Sequence, residues 1–252
     1  MSMPEIVQGV LATPGLFWIA LTFLAAGLVR GFTGFGTALI VMPVAAVFLP
    51  VPLAIALVMF AGMFTWPLIV PRAFREADRR EVLMLAGAAI VTAPVGVWLL
   101  SWVERDVLRW VVALAAAATL AALVTGWRYH GRVRGPGLAG VGGAAGVLGG
   151  TTGLTGPPVI LFYLASTRPA AMMRANTILF LALLDIGIVV NMVARGLIDW
   201  AVIPMTAALA VPYGAGILTG QRLFHPDLER VYRWLAYSVI AVAILTGLPL
   251  FD

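Results

Sequence analysis

The chain has 252 residues, of which 62% are hydrophobic and only 11% are charged, and its formal net charge is +5. Soluble proteins carry about 25% charged residues, so this composition and a mean hydropathy of +1.03 exclude a soluble globular domain. We predict an all-α, polytopic membrane protein. The absence of cysteine excludes disulfides and thiolate metal sites, and we expect no cofactor and no bound metal.

Ten apolar stretches follow one another along the chain, separated by charged residues, glycine and proline. A helix needs about 20 residues to cross the hydrocarbon core of a bilayer. Three of the stretches are shorter, and we predict that they are half-helices or re-entrant segments, shielded by protein, beside a break. These are 37–50, 137–149 and 157–167. The other seven are 11–30, 51–71, 82–103, 107–127, 169–195, 199–220 and 231–250.

A motif rich in glycine and threonine interrupts the apolar sequence twice. Residues Gly31 to Gly36 read GFTGFG, and Gly150 to Gly156 read GTTGLTG, 119 positions later. Matching interruptions in two halves of a hydrophobic chain are typical of transporters that bind their substrate near the membrane midplane. The two motifs are therefore the first candidates for a binding site.

The similarity between the two halves extends beyond these motifs. We interpret the chain as a duplication, with an N-terminal repeat at 1–134 and a C-terminal repeat at 135–252. Further matched pairs are Gly27 with Gly146, Pro52 with Pro169, and Pro94-x-Gly96 with Pro212-x-Gly214.

The loop charges predict the orientation of the two repeats. Arginines cluster at 71–81, 128–134 and 222–233, and the positive-inside rule makes these loops cytoplasmic and places both termini outside. The less basic loop 195–199 should face out, although by repeat it corresponds to the inward loop 71–81. We therefore predict inverted-topology repeats whose broken helices meet near the midplane.

The breaks are suited to binding a small anion. A helix that begins inside the membrane has unpaired N–H groups at its positive dipole end. Threonine hydroxyls add donors, and glycine lets a ligand approach the backbone. The candidate substrate-binding residues are Arg30, Gly31, Thr33, Gly34, Phe35, Gly36 and Thr37 in the first motif, and Gly150, Thr151, Thr152, Gly153, Thr155 and Gly156 in the second.

Several of these residues have a second interpretation. Spacings such as Gly27-xxx-Gly31 also allow helices to pack closely without any ligand. Arg30 could bind the anion, reach the membrane surface or pair internally. Asp185, the acidic residue deepest in a predicted span, is a candidate coupling site for a proton or sodium. Its alternative is a structural role, paired with Arg30 or Arg174 or held by Asn191.

The two motifs also carry a family resemblance. GFTGFGTALIVMP and GTTGLTGPPVILFYL resemble the sulfite exporter TauE/SafE family, also known as the toluene sulfonate uptake permease family. The resemblance covers nearly the whole chain. It implies a multi-pass carrier of the cell inner membrane for sulfite, sulfoacetate or another organosulfonate. The positions that match the family's motifs are Gly31, Thr33, Gly34, Gly36, Gly150, Thr152, Gly153, Gly156 and Pro157.

We therefore expect a secondary transporter of small sulfur-containing anions and not an enzyme. No GxxxxGK[ST] motif is present to bind ATP, so the energy should come from an ion or substrate gradient or from a partner protein, and we expect an ion gradient. The expected partners are the anion, the lipid bilayer and a coupling proton or sodium, without nucleic acid; a homo-oligomer is compatible with this arrangement. The alternatives are an anion channel, a carrier of another small carboxylate or cation, and an intramembrane enzyme acting on lipid.

Overall fold

A computed structural model describes residues 8–126, 135–164, 169–223, 225 and 228–250. These residues are largely helical and include no β-strand. The arginine cluster predicted at 128–134 lies outside the described residues. Eleven helices of eight residues or more are described: α1 Leu16–Thr33, α2 Thr37–Phe48, α3 Val51–Phe64, α4 Trp66–Glu76, α5 Arg79–Trp102, α6 Arg105–Thr125, α7 Pro136–Thr152, α8 Pro157–Leu164, α9 Ala170–Ala194, α10 Val202–Leu223 and α11 Glu229–Gly247.

Five of the described helices are long and apolar enough to cross a membrane, namely α1, α5, α6, α9 and α10. A sixth crossing is formed if α3 and the end of α4 are counted together, although the chain bends by 76° between them. The prediction of an all-α, multi-pass membrane protein is therefore confirmed. Many large apolar side chains on these helices are exposed, including Val91 and Val211, as expected for surfaces that face lipid.

The two breaks are shorter than the motifs that predicted them. Helix α1 continues to Thr33 and ends at Gly34, whose φ of 83° is left-handed and whose N–H donates to the Arg30 carbonyl. Helix α7 continues to Thr152 and ends at Gly153 in the same way, with φ of 74° and an N–H donated to the Gly149 carbonyl. Both helices thus end at a glycine that can adopt this conformation without strain.

Glycines join the two halves of the chain through close helix packing. Helix α1 lies against α10, where a Cβ at Gly27 would overlap the Tyr213 carbonyl oxygen and one at Gly31 would lie 2.6 Å from the Ile217 carbonyl oxygen. Helix α7 lies against α5, where a Cβ at Gly146 would overlap the Ala89 carbonyl oxygen. The first long helix of each half therefore packs on the other half.

Helix directions follow from these contacts. On α7 and α5, Gly142 lies beside Leu85 and Gly150 lies beside Ala93, so the two helices run in parallel. The Asp78 N–H, just before α5, donates to the side chain of Asn176, near the start of α9. The starts of α5, α7 and α9 therefore lie at one end of the helix bundle.

The helices α1 and α10 run the other way. Their last turns, at Phe32 and Gln221, line one cavity together with Arg72 at the end of α4 and Arg174 near the start of α9. We call this the Arg72 end of the bundle. Since α1 and α10 end where α5, α7 and α9 begin, α1 and α7 run in opposite directions, as do α10 and α5.

The helix packing contradicts one of the predicted repeat pairs, that of Pro94-x-Gly96 with Pro212-x-Gly214. A Cβ at Gly96 would lie 2.9 Å from the Gly150 Cα, and one at Gly220 would lie 3.2 Å from the Gly31 Cα. Gly214 instead has nothing within 4 Å of its Cβ position. Gly220 is thus the packing equivalent of Gly96, and the alignment through Pro94 and Pro212 is shifted by nearly two turns.

The α5–α7 contact predicts a large effect of one added methyl group. Gly146→Ala should destabilise the protein by about 2 kcal/mol or more, because the new Cβ overlaps backbone and the helices must separate. Gly140→Ala on the same helix is the matched control, since nothing lies within 4 Å of its Cβ position. Thermal unfolding in detergent measures both variants, and equal melting temperatures would contradict the packing.

Candidate functional site

The two breaks meet around a cavity of about 40 Å³, which we call the break cavity. Residues on both sides of the first break line it, and so do Thr155 to Pro157 from the second break. Helix α3 contributes Val58, Met59 and Gly62, and α9 contributes Leu181 and Asp185. Two segments 119 positions apart in the sequence are therefore brought to one small space.

The start of α2 supplies unpaired backbone donors to this cavity. Ile40 is the first residue of α2 whose N–H bonds back, to the Gly36 carbonyl at 3.2 Å. The N–H groups of Thr37, Ala38 and Leu39 therefore have no partner within the helix, and all three residues line the cavity. Together with the helix dipole, they favour negative charge here.

The start of α8 does not repeat this arrangement. Pro157 and Pro158 have no N–H, and the N–H groups of Val159 and Ile160 both bond to the Gly156 carbonyl. From this side, the buried residue Thr155 lines the cavity. Of the two described helix starts that line the cavity, that of α2 therefore offers unpaired N–H groups and that of α8 does not.

Arg30 brings the positive charge of the site. Its Nη1 donates to the Tyr213 hydroxyl at 3.0 Å and to the Thr37 hydroxyl at 3.3 Å. The two hydroxyls are 2.8 Å apart and bonded to each other. Arg30 is thereby fixed beside the start of α2, in a network that joins α1, α2 and α10.

Asp185 places a carboxyl group in the same cavity. It is only 9% exposed, and its Oδ1 has no hydrogen-bond partner among the described residues. Its Oδ2 is 3.3 Å from where a Cβ at Gly62 would lie, so the missing side chain at Gly62 makes room for the carboxyl. The expected alternatives of pairing with Arg30 or Arg174 are not observed among the described contacts, and the Asn191 amide donates to the Gly187 carbonyl instead.

Two predicted threonines lie at the helix ends and not in the lining of the cavity. The Thr33 hydroxyl lies 2.7 Å from the Val29 carbonyl oxygen and accepts the Phe35 N–H. The Thr152 hydroxyl donates to the Leu148 carbonyl and accepts the Leu154 N–H. These two threonines close their helices in the same way, and their hydroxyls are already used.

Of the remaining predicted residues, some line the cavity and the others have structural contacts elsewhere. Those that line the cavity are Arg30, Phe35, Gly36, Thr37, Thr155, Gly156 and Asp185. Gly31 and Gly150 lie in the interfaces between helices, and Gly34 and Gly153 end α1 and α7. The Thr151 hydroxyl bonds to the carbonyls of Val147 and Gly96.

Tyr213 is the functional candidate that sequence reasoning missed. It is 1% exposed and packs edge-on against Phe23, with ring centroids 5.7 Å apart. Its partner Arg30 is 183 positions away in the sequence. A polar aromatic residue inside a predicted span was the only signal that could have indicated it.

Arg30, the start of α2 and the carboxyl group of Asp185 all line this cavity. An anion held by Arg30 and the start of α2 would be repelled by an ionised Asp185. Protonation of Asp185 would therefore favour binding of the anion, and binding of the anion would favour protonation of Asp185. Among the described residues, no group of three or more His, Cys, Asp or Glu side chains could hold a metal ion. The positive charge of Arg30 and the N-terminal end of α2 both favour negative charge in this cavity.

Comparison with known proteins gives one match. A family model described as Sulfite exporter TauE/SafE matches residues 19–246. No curated protein and no solved structure matches the chain. The matched residues include both breaks and every residue that lines the break cavity.

Proposed function

Because the chain belongs to the sulfite exporter TauE/SafE family of membrane transporters, we propose that it carries small sulfur-containing anions through the break cavity by alternating access. The observation that carries this proposal is the meeting of Arg30 and the free N–H groups of α2 at one buried point between the two breaks. We place the protein in the cell inner membrane, with the Arg72 end in the cytoplasm.

The size of the cavity favours sulfite over larger organosulfonates. About 40 Å³ holds only a few atoms, whereas a cavity of roughly 150 Å³ is needed for a benzene ring. Sulfite presents three oxygens around one sulfur, so Arg30 and the α2 N–H groups can bind it together. An aromatic sulfonate would require the surrounding helices to move apart.

Inverted repeats would provide the alternating access. The opposite directions of α1 and α7, and the matching α1–α10 and α5–α7 interfaces, support such a relation between residues 1–134 and 135–252. In each half, a helix that ends at a break packs on the other half. Rocking of one half against the other would open the break cavity to one side at a time.

We further propose that Asp185 couples transport to a proton gradient. Among the described residues that line the cavity, Asp185 alone carries a carboxylate, and the other side-chain oxygens belong to Thr37 and Thr155. A proton needs a single carboxylate oxygen, and Oδ1 of Asp185 has no partner among the described residues. The anion would then enter with the carboxyl group protonated.

Transport by purified protein in liposomes tests the proposed function. We expect sulfite uptake that saturates, that is accelerated by sulfite on the opposite side, and that methanesulfonate inhibits more strongly than toluenesulfonate. Saturation and counterflow are properties of a carrier. Flux that rises linearly with sulfite concentration, without counterflow, would contradict the proposal and indicate an anion channel.

A further inference from the structure

A second, larger cavity opens at the Arg72 end of the bundle. It has a volume of about 420 Å³, and we call it the vestibule. The last turns of α1, α4 and α10 and the first turns of α9 line it. Its polar lining residues are Arg72, Glu76, Arg174 and Gln221.

The vestibule has an excess of positive charge. Arg72 Nε donates to Glu76 Oε1 at 2.8 Å, which balances one of the two arginines. Arg174 has no ion pair and no hydrogen bond to the described residues. Its guanidinium group is therefore available to an anion, and Gln221 can donate further hydrogen bonds from its amide.

Arg174 also lies at the boundary between the vestibule and the break cavity. A Cβ at Gly34 would be 2.9 Å from Arg174 Nε, so the arginine side chain covers the glycine that ends α1. Phe32 lines the vestibule and Phe35 lines the break cavity, and the two lie on either side of Gly34. On α9, Ile178 lines the vestibule, and Leu181, about one turn further along the helix, lines the break cavity.

We propose that the vestibule is a second anion-binding site, in which Arg174 collects sulfonate or sulfite at the Arg72 end and delivers it past Gly34. This inference rests on the proposed function for the path of the anion. The binding itself depends only on the charge of the vestibule and on its access to water. A partly exposed arginine binds weakly and reversibly, which suits a site from which the anion must move on.

The natural absence of cysteine allows a direct test with thiol reagents. Ala171→Cys places a thiol at an exposed position in the lining of the vestibule, and Ser101→Cys places one at an exposed position near the end of α5 as a reference. Each variant is labelled in detergent with a sulfonate reagent, sulfonatoethyl methanethiosulfonate, and with its trimethylammonium analogue. The ratio of the two labelling rates cancels differences in thiol reactivity.

At low ionic strength, we expect the sulfonate-to-ammonium rate ratio at Ala171→Cys to exceed that at Ser101→Cys by about five-fold. Adding Arg174→Gln should remove this excess. Arg79→Gln is the matched control at the same end, because its guanidinium lies over the Phe74 ring, 4.3 Å from the ring centroid, and Arg79 is absent from the vestibule lining. Sodium sulfate should slow labelling more than sodium chloride of equal ionic strength.

Equal ratios at the two thiols, or a ratio that Arg174→Gln leaves unchanged, would overturn the inference. Labelling requires no transport, so its outcome is independent of the liposome assay. If the ratio behaves as expected while sulfite transport is absent, the vestibule binds anions and the proposed function is wrong. If transport is present and the ratio is flat, only the vestibule site is wrong.

Discussion

Replacing Arg30 with glutamine should reduce sulfite transport by about 10- to 100-fold, because hydrogen bonds to a charged group contribute about 1.5–3 kcal/mol each. Among the described residues, Arg30 is the only positively charged one that lines the break cavity. Its loss leaves the anion with the neutral donors of α2. The effect should appear as a weaker apparent affinity for sulfite in liposome uptake.

Two further variants, one at the site and one outside it, accompany Arg30→Gln in this experiment. Tyr213→Phe keeps the charge of Arg30 and removes one of its two hydrogen-bond partners, so a smaller loss of affinity is expected. Arg195→Gln is the matched control, because this exposed arginine donates a hydrogen bond to the Pro94 carbonyl, at 3.4 Å, and is absent from the lining of the cavity. Unchanged sulfite affinity in folded Arg30→Gln protein would contradict the binding site.

Replacing Asp185 with asparagine should abolish the accumulation of anion driven by a proton gradient. Asparagine has nearly the same shape as aspartate but cannot carry the proton, and a neutral group no longer repels the anion. Gradient-driven accumulation should fall to the level of empty liposomes, while exchange of anion across the membrane is affected far less. Methanesulfonate is the anion to use in this assay, because sulfite itself takes up protons near neutral pH and would obscure the coupling.

A second aspartate provides the control for the Asp185 experiment. Asp106→Asn removes an exposed carboxylate in the first turn of α6, outside the break cavity, and should leave accumulation unchanged. Asp185→Asn protein that still accumulates anion in response to a proton gradient would exclude Asp185 as the coupling residue. Accumulation that follows a sodium gradient in the native protein would identify sodium as the coupling ion.

The positions of the breaks could be predicted because glycine is the residue that ends a helix in a left-handed conformation. Gly34, Gly36 and Gly153 all have positive φ, and each belongs to a predicted motif. The motif itself does not show where the helix ends. Helices α1 and α7 continue for three residues into their motifs, since a carbonyl one turn earlier still accepts each N–H.

The roles of individual polar residues could not be predicted in the same way. Thr33 and Thr37 are both threonines of one motif, yet the first closes α1 and the second lines the cavity. The difference depends on where each hydroxyl points, which residue type does not reveal. Tyr213 is brought to Arg30 only by the packing of α10 on α1.

Repeat alignment failed at one place for a related reason. In apolar helices, many registers give similar sequence matches, so Pro94 and Pro212 aligned well although they are not equivalent in the packing. The contacts of Gly96 with Gly150 and of Gly220 with Gly31 identify the register that the structure uses. Close backbone approach is a stricter criterion than shared proline.

A crystal structure with selenite, the selenium analogue of sulfite, would show where the anion binds, because selenium gives an anomalous signal. The predicted result is a peak in the break cavity, within hydrogen-bonding distance of the Arg30 guanidinium group and the N–H groups at the start of α2. A second peak beside Arg174 would agree with the vestibule. A protein with selenite bound elsewhere, and with the break cavity empty, would contradict the account.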